Sequence, residues 1–505
     1  MEQNTTKRIA KNTLMLYFRQ ILIMIVNLYS VRVVLNTLGA EDYGLYNVVA
    51  GVVTMFSFLS NSMATASQRY FSFALGQNDS EYLKITFSVT FQIYILLVFL
   101  IFVFAETIGL WFVMNKLIIP LERMTAAKWI YQAANFSFIL TLITTPYMAC
   151  IIAHENMKIY AFVSIIEACL KLGIVLLLKI LPYDKLIVYG ILLAVVAFVN
   201  TVIYRFYCHR HYSESKLCFI KDGKLFKELV CYSGWNLFGS VASVVRNQGI
   251  TILINLFFGP IVNASRAVAA QVNAAVISFA QNFSTALRPQ IIKSYAAEEK
   301  DRVLCLVMHG TKIVFFLMLV ICVPLFLQVP YLLKLWLKNV PDLTQVFVRL
   351  IVIDVLIDSI SYPIMAVVQA SGKIKLYQSV VGGCLILNLP VSYILFQFGF
   401  PAQTVFIVAI VLSVLALILR IIIVQKILSY NFVLPFVKLL MLFVLLTILV
   451  SVLPIILINK MNDSFLKFCL FVIISVCWSV IILFFVGLNK DEKKLILDKM
   501  PWRKK

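Results

Sequence analysis

The sequence predicts an all-α integral membrane protein of about 14 transmembrane helices, and three observations predict it. The 505-residue chain is 62% hydrophobic and only 13% charged, with a mean hydropathy of +0.95. Soluble chains are about 45–50% apolar and about 25% charged. The apolar residues fall into runs of about 20, the length that crosses a bilayer core as a helix. The chain also resembles itself at an offset near 220 residues, so twelve of the runs divide into two sets of six. A soluble enzyme, a secreted disulfide scaffold and a disordered hub are excluded.

The first run, 13–37, follows a basic start (Lys7, Arg8, Lys11) with no small-residue cleavage site. It reads as a span with its cytoplasmic flank, not as a removed signal. The second, 45–65, begins after the polar break LGAEDYG. Runs 85–105, 127–147, 159–180 and 186–204 complete the first set. A basic segment then leads to 232–257, 262–286, 305–326, 345–368, 378–397 and 403–424, followed by 433–456 and 464–487. The predicted organisation is an N-lobe (1–210), a cytoplasmic inter-lobe loop (211–231), a C-lobe (232–428), two further spans (429–487) and a basic tail (488–505).

With the N-terminus placed in the cytoplasm, Lys and Arg concentrate in 205–230, 287–304 and 488–505, all on that side. This fits the positive-inside rule with both termini cytoplasmic, and it accounts for the net charge of +21 without nucleic acid. The run 215–230 alternates Lys with apolar residues, as either a membrane-surface helix or a solvated loop would. The opposite-side segments are too short for an extramembrane catalytic domain. The ten cysteines contain no CxxC pair, and no zinc or disulfide framework is readable. His209 and His211 lie in a basic loop without ligand-spaced neighbours. P-loop, HExxH and GxSxG motifs are absent.

The internal repeat is carried by PYMACIIAHENMKIY (146–160) against PIMAVVQASGKIKLY (363–377). Pro146/Pro363, Met148/Met365, Ala149/Ala366, Ala153/Ala370, Lys158/Lys375 and Tyr160/Tyr377 are identical. Leu38-Gly39 aligns with Phe258-Gly259, Asn27 with Asn247, and Thr65-Ala66 with Thr285-Ala286. Duplicated six-span halves share one orientation, and transporters built this way place substrate between the halves and rock them in alternating access.

An ionisable side chain at mid-bilayer costs about 3 kcal/mol on insertion scales, so such groups should face a cavity or a partner. Span 1 carries Arg19, Asn27 and Arg32, and span 2 carries Asn47, Thr54 and Asn61. Asn236, Ser240, Ser243, Asn247 and Thr251 form a stripe on span 7, flanked by Arg246. Span 8 brings Arg266, Asn273, Gln281 and Ser284 together. These faces predict a net-cationic cavity suited to an anionic, hydroxyl-rich substrate, because Arg offers forked donors to phosphate oxygens. Arg19 and Arg266 are also near enough to span ends to snorkel, and Asn and Ser stripes also hold helices together. Asp354 and Asp358 share a face of span 10, either to carry a coupling proton or sodium ion or to pair with a cavity Arg. Glu167 and Lys171 are spaced to neutralise each other.

LGAEDYGLYNVVAG (38–51), QRYFSFALG (68–76) and the repeated Pro…Ala…Lys…Tyr element resemble the polysaccharide-transporter branch of the multidrug/oligosaccharidyl-lipid/polysaccharide exporter superfamily, which contains the Wzx-type O-antigen flippases. The resemblance implies two pseudo-symmetric six-helix lobes in a V-shaped arrangement plus two C-terminal helices. It implies flipping of polyprenyl-diphosphate-linked oligosaccharide across the bacterial inner membrane, with membrane lipids and other polysaccharide-assembly proteins as partners. It further implies a monomer, no cofactor, and a diphosphate role for Arg246, Arg266, Arg19 and Arg32. An ion-coupled multidrug or cation antiporter of the same superfamily is the alternative reading. A membrane polymerase or glycosyltransferase would need an outer loop or acidic metal site that the sequence does not show.

Overall fold

A computed structural model describes residues 2–54, 56–115, 117, 119–178, 180, 182–216, 222–337, 340–428, 432–458, 464–490 and 492–493. The side chains of some helical residues, Arg32 and Asn47 included, lie outside the described set. The described chain is helical throughout, as backbone groups in hydrocarbon require. In order the helices are α1 (Glu2–Thr54), α2 (Ser57–Gly76), α3 (Ser80–Phe104), α4 (Leu110–Asn115), α5 (Met124–Ala153), α6 (Met157–Leu177), α7 (Lys185–His211), α8 (Gly223–Ala296) and α9 (Lys300–Leu337). There follow α10 (Thr344–Ser359), α11 (Ser361–Ser371), α12 (Ile374–Tyr377), α13 (Gly383–Ile386), α14 (Asn388–Gln397), α15 (Thr404–Leu428), α16 (Val433–Ile458) and α17 (Phe465–Ile482).

Ten described helices are long and apolar enough to span a membrane, or eleven if α10 and α11, bent by 43°, form one span. The expected spans that miss this test include 13–37, 45–65 and 262–286, each of which carries polar residues. Each is nonetheless helical over its described residues. Outward residues such as Met441 (67% exposed), Val444 (63%) and Ile473 (58%) are apolar, as lipid contact demands. The loops supply caps where helices restart. Asp79 accepts from the Tyr82 amide at 2.8 Å, and Asp184 from the Leu186 amide at 3.0 Å.

The chain forms two compact units, 1–241 with 285–299 and 242–284 with 300–505. In the first, α5 packs along α7, α2, α3 and α1, and Phe71, Phe87 and Tyr147 make an aromatic core. Arg123 pairs with Asp42 (3.0 Å) and Asp184 (2.8 Å), tying three segments at one end. In the second, α9 packs on α10, α11, α16 and α17, with Phe315 stacked on Phe443 at 3.9 Å.

The duplication is visible in the backbone. Helix α1 breaks at Gly39 (φ 82, ψ 167) and α8 at Gly259 (φ 78, ψ −176), 220 positions later. Both fall in a region essentially restricted to glycine. Asn78 and Glu298 (φ 56 and 58) repeat at the same offset, and Glu155 and Gly372 (φ 61 and 74) at that of Pro146/Pro363. Two positions even touch their own counterparts. Arg288 donates to Gln68 at 3.4 Å, and Gly76 lies so close to Ala296 that a Cβ there would sit 2.8 Å from the alanine methyl.

Candidate functional site

In the first unit, α1, α5, α6 and α7 enclose a cavity of about 650 Å³. Arg19 and Asn27 enter from α1, Ser137, Thr141, Thr144 and Thr145 from α5, Tyr160, Ser164, Glu167 and Lys171 from α6, and Tyr189, Asn200 and Tyr204 from α7. The hydroxyls on α5 follow helical spacing, so one polar face turns inward on an otherwise apolar helix. Glu167 is engaged from two sides, by Lys171 at 2.6 Å and by the Asn200 amide at 3.1 Å. Among the described residues Arg19 has no carboxylate partner. Its guanidinium lies 4.6 Å from the Tyr160 ring centroid, and Nε and Nη1 are buried without a hydrogen-bond acceptor. A cation of this kind, among hydroxyls, amides and tyrosine rings, offers charge-assisted bonds to an anionic group and neutral ones to sugar hydroxyls.

In the second unit Arg246, Arg266 and Arg420 each have a partner, although Nε of Arg246, Arg266 and Arg349 is also buried without an acceptor among the described residues. Arg246 lies 3.8 Å from Asp354, which also accepts from Ser413 at 2.6 Å. Arg266 donates to the Thr251 hydroxyl (2.5 Å) and the Asn247 carbonyl (2.7 Å), clasping the two legs of α8 across the Gly259 break. Asp358 pairs with Arg420 at 3.5 Å, and Arg420 also donates to Tyr377 (3.1 Å) and Ser361 (2.7 Å). Asn273 keeps a buried side-chain oxygen without a donor, and Asn236 is buried in the first unit. Asn61, Asn247 and Gln281 are exposed, and the Arg32 and Asn47 side chains lie outside the described residues. The structure therefore brings Arg19 and Asn27 to one cavity and Arg246 and Asp354 to one ion pair.

Three features escaped the sequence reading. Arg420 interrupts an apolar run and could have been found as a lone mid-span charge. Glu155, buried between α5 and α6, gathers Arg8 (3.1 Å), Lys293 (2.6 Å) and Gln290. Burial holds the Lys293 ammonium below the usual lysine range, and Glu155 pulls it part of the way back. Cys150, His154 and Glu214 place a sulfur, a nitrogen and an oxygen within 4.8 Å of one another. Glu214 arrives from 60 residues away, so no spacing rule exposes it.

The polysaccharide biosynthesis protein model matches residues 9–295. The chain belongs to that family. The MatE model matches residues 237–394, within the same exporter superfamily. Solved relatives share the fold. An outward-facing multidrug resistance MATE family transporter of the MOP superfamily is 12% identical, with TM-score 0.74 over 84% of this chain and 96% of its own. A MATE in the straight conformation gives TM-score 0.73 at 12% identity, over 84% and 96%. A Vibrio cholerae MATE transporter gives 0.68 at 16%, over 85% and 98%. No curated protein matches the chain. This family member is a multi-pass membrane transporter of the MOP superfamily.

Proposed function

We propose that the protein flips a polyprenyl-diphosphate-linked oligosaccharide, an O-antigen, capsule or exopolysaccharide repeat unit, across the bacterial inner membrane by alternating access, with both termini cytoplasmic. The family match supports a role in polysaccharide export. The observation that carries the reading is Arg19, half-buried at a polar cavity, with two buried guanidinium nitrogens that lack acceptors among the described residues. A diphosphate satisfies such donors at little reorganisation cost, and the surrounding hydroxyls and tyrosines suit a glycan. Arg246, Arg266 and Arg32 are secondary candidates for the diphosphate, the first two needing to leave present partners. In liposomes loaded with the lipid-linked glycan, Arg19→Ala should lower protein-dependent exposure to external glycosidase while abundance is kept. Full flipping by that variant would remove Arg19 from the path.

The second reading is an ion-coupled cation antiporter, favoured by the MatE match and by Asp354 and Asp358. Each carboxylate has an arginine partner, which supports a structural role for the pair. Asp354→Asn with Asp358→Asn abolishes gradient dependence only if these groups carry the coupling ion.

A further inference from the structure

We propose that Cys150, His154 and Glu214 form a binding site for a zinc-class transition metal, fastening the end of α5 to the segment between α7 and α8. Cys150 and His154 stand four residues apart, so their side chains share one face where α5 ends. Glu214 comes from the short turn Ser213–Ser215, and its Oε1 lies 3.7 Å from the Cys150 sulfur and 2.5 Å from His154 Nε2. One point between them is within reach of all three donors. Thiolate, imidazole and carboxylate together select zinc-like ions over magnesium or calcium, which prefer all-oxygen sites.

Two surrounding features favour a metal over a bare His–Glu pair. Cys150 and Glu214 are both buried, and among the described residues the one ion pair of Glu214 is with His154, with no Lys or Arg. A divalent cation supplies the missing charge, and the Cys150 thiol binds as thiolate after releasing its proton to solvent. The Tyr212 ring stacks on the imidazole at 4.2 Å and 12°, fixing the orientation that points Nε2 at the site. Cys208 donates to the Tyr147 carbonyl at 3.5 Å and stands outside the three-donor cluster, so water completes the coordination. In the second copy the equivalents of Cys150 and His154 are Val367 and Ser371, so the site belongs to one half.

The test uses full-length protein in detergent, stripped by chelator and titrated with Co²⁺, then Zn²⁺. One equivalent of Co²⁺ should give thiolate-to-cobalt charge-transfer absorption that Zn²⁺ bleaches. Cys150→Ser should abolish the band, and His154→Ala should weaken Co²⁺ binding at least about tenfold. Cys305→Ser should leave it unchanged. That cysteine and His309 also stand four apart, but the ring turns Nδ1 to Cys305 and Nε2 to Glu492, each at 3.3 Å, so no point is shared. No charge-transfer band in stripped wild type overturns the proposal, as does a band that survives Cys150→Ser. Should Cys150→Ser fail to elute as monodisperse protein, a band unaffected by His154→Ala overturns it equally.

Discussion

Replacing Glu155 by Gln removes one negative charge and leaves the shape of the site. The carboxylate is 1% exposed, with Lys293 at 2.6 Å (21% exposed) and Arg8 at 3.1 Å (51% exposed). Removing one member of a buried pair costs about 3–5 kcal/mol. Arg8 can turn to solvent, so the lower end, about 3 kcal/mol, is expected. The left-handed backbone of residue 155 (φ 61) is unaltered, so the change reports the charge and not the strain. Lys293→Met should relieve most of the loss, with a coupling energy of about 2 kcal/mol in a double-mutant cycle. The variant should also depend on pH. The folded pKa of Lys293 is held down by burial, and losing Glu155 depresses it further. Between folded and unfolded values the unfolded chain binds more protons, so stability rises as pH climbs through that window. The deficit of Glu155→Gln should therefore shrink in alkali. Denaturation in mixed micelles across neutral to alkaline pH measures both quantities. Coupling below about 0.5 kcal/mol, or a deficit that grows with pH, would refute the electrostatic account.

Other consequences are as direct. Asp358→Asn should destabilise by about 1–2 kcal/mol, because Arg420 is buried but keeps Tyr377 and Ser361 and the carboxylate is 35% exposed, and adding Arg420→Met should recover part of it; equal unfolding midpoints for wild type and Asp358→Asn would contradict the pairing. Gly39→Ala and Gly259→Ala should each cost about 1–3 kcal/mol through the backbone alone, since among the described residues no packed neighbour lies within 4 Å of the added Cβ at either position. Widely unequal losses in denaturation midpoint would argue against equivalent breaks. Asp354→Asn should free Arg246 and lower the unfolding midpoint modestly, the pair being 3.8 Å apart and partly exposed.

Much of the fold was legible because membrane helices obey strong rules. Uninterrupted runs such as 404–428 and 433–458 stand out from any polar background, and Gly39 and Gly259 announced the duplication before their shared dihedrals were seen. Boundaries near 54–57 were less legible. A helix that turns Ser60, Ser62, Ser67 and Ser72 inward loses the apolar signal that marks a span, so α2 runs on to Gly76, beyond the expected end at 65. The arginines were visible as charges, and pairing of Asp354 and Asp358 with an arginine was one of two readings the sequence left open. Whether Arg246 meets Asp354 or substrate depends on how α8 and α10 lie together, which residue types alone leave open. Glu155 and Glu214 were hidden for the opposite reason. Each lies in a short connection, and its meaning comes from neighbours more than 50 positions away.

Movement of a lipid-linked glycan is the activity proposed for this family member. Wild-type protein in liposomes, given a matched polyprenyl-diphosphate oligosaccharide, tests it most directly. Glycosidase added outside should cleave glycan in proportion to the protein incorporated, while protein-free vesicles keep the inner pool intact. No exposure, together with uptake of organic cations against a proton or sodium gradient, would contradict the account and make the protein an antiporter.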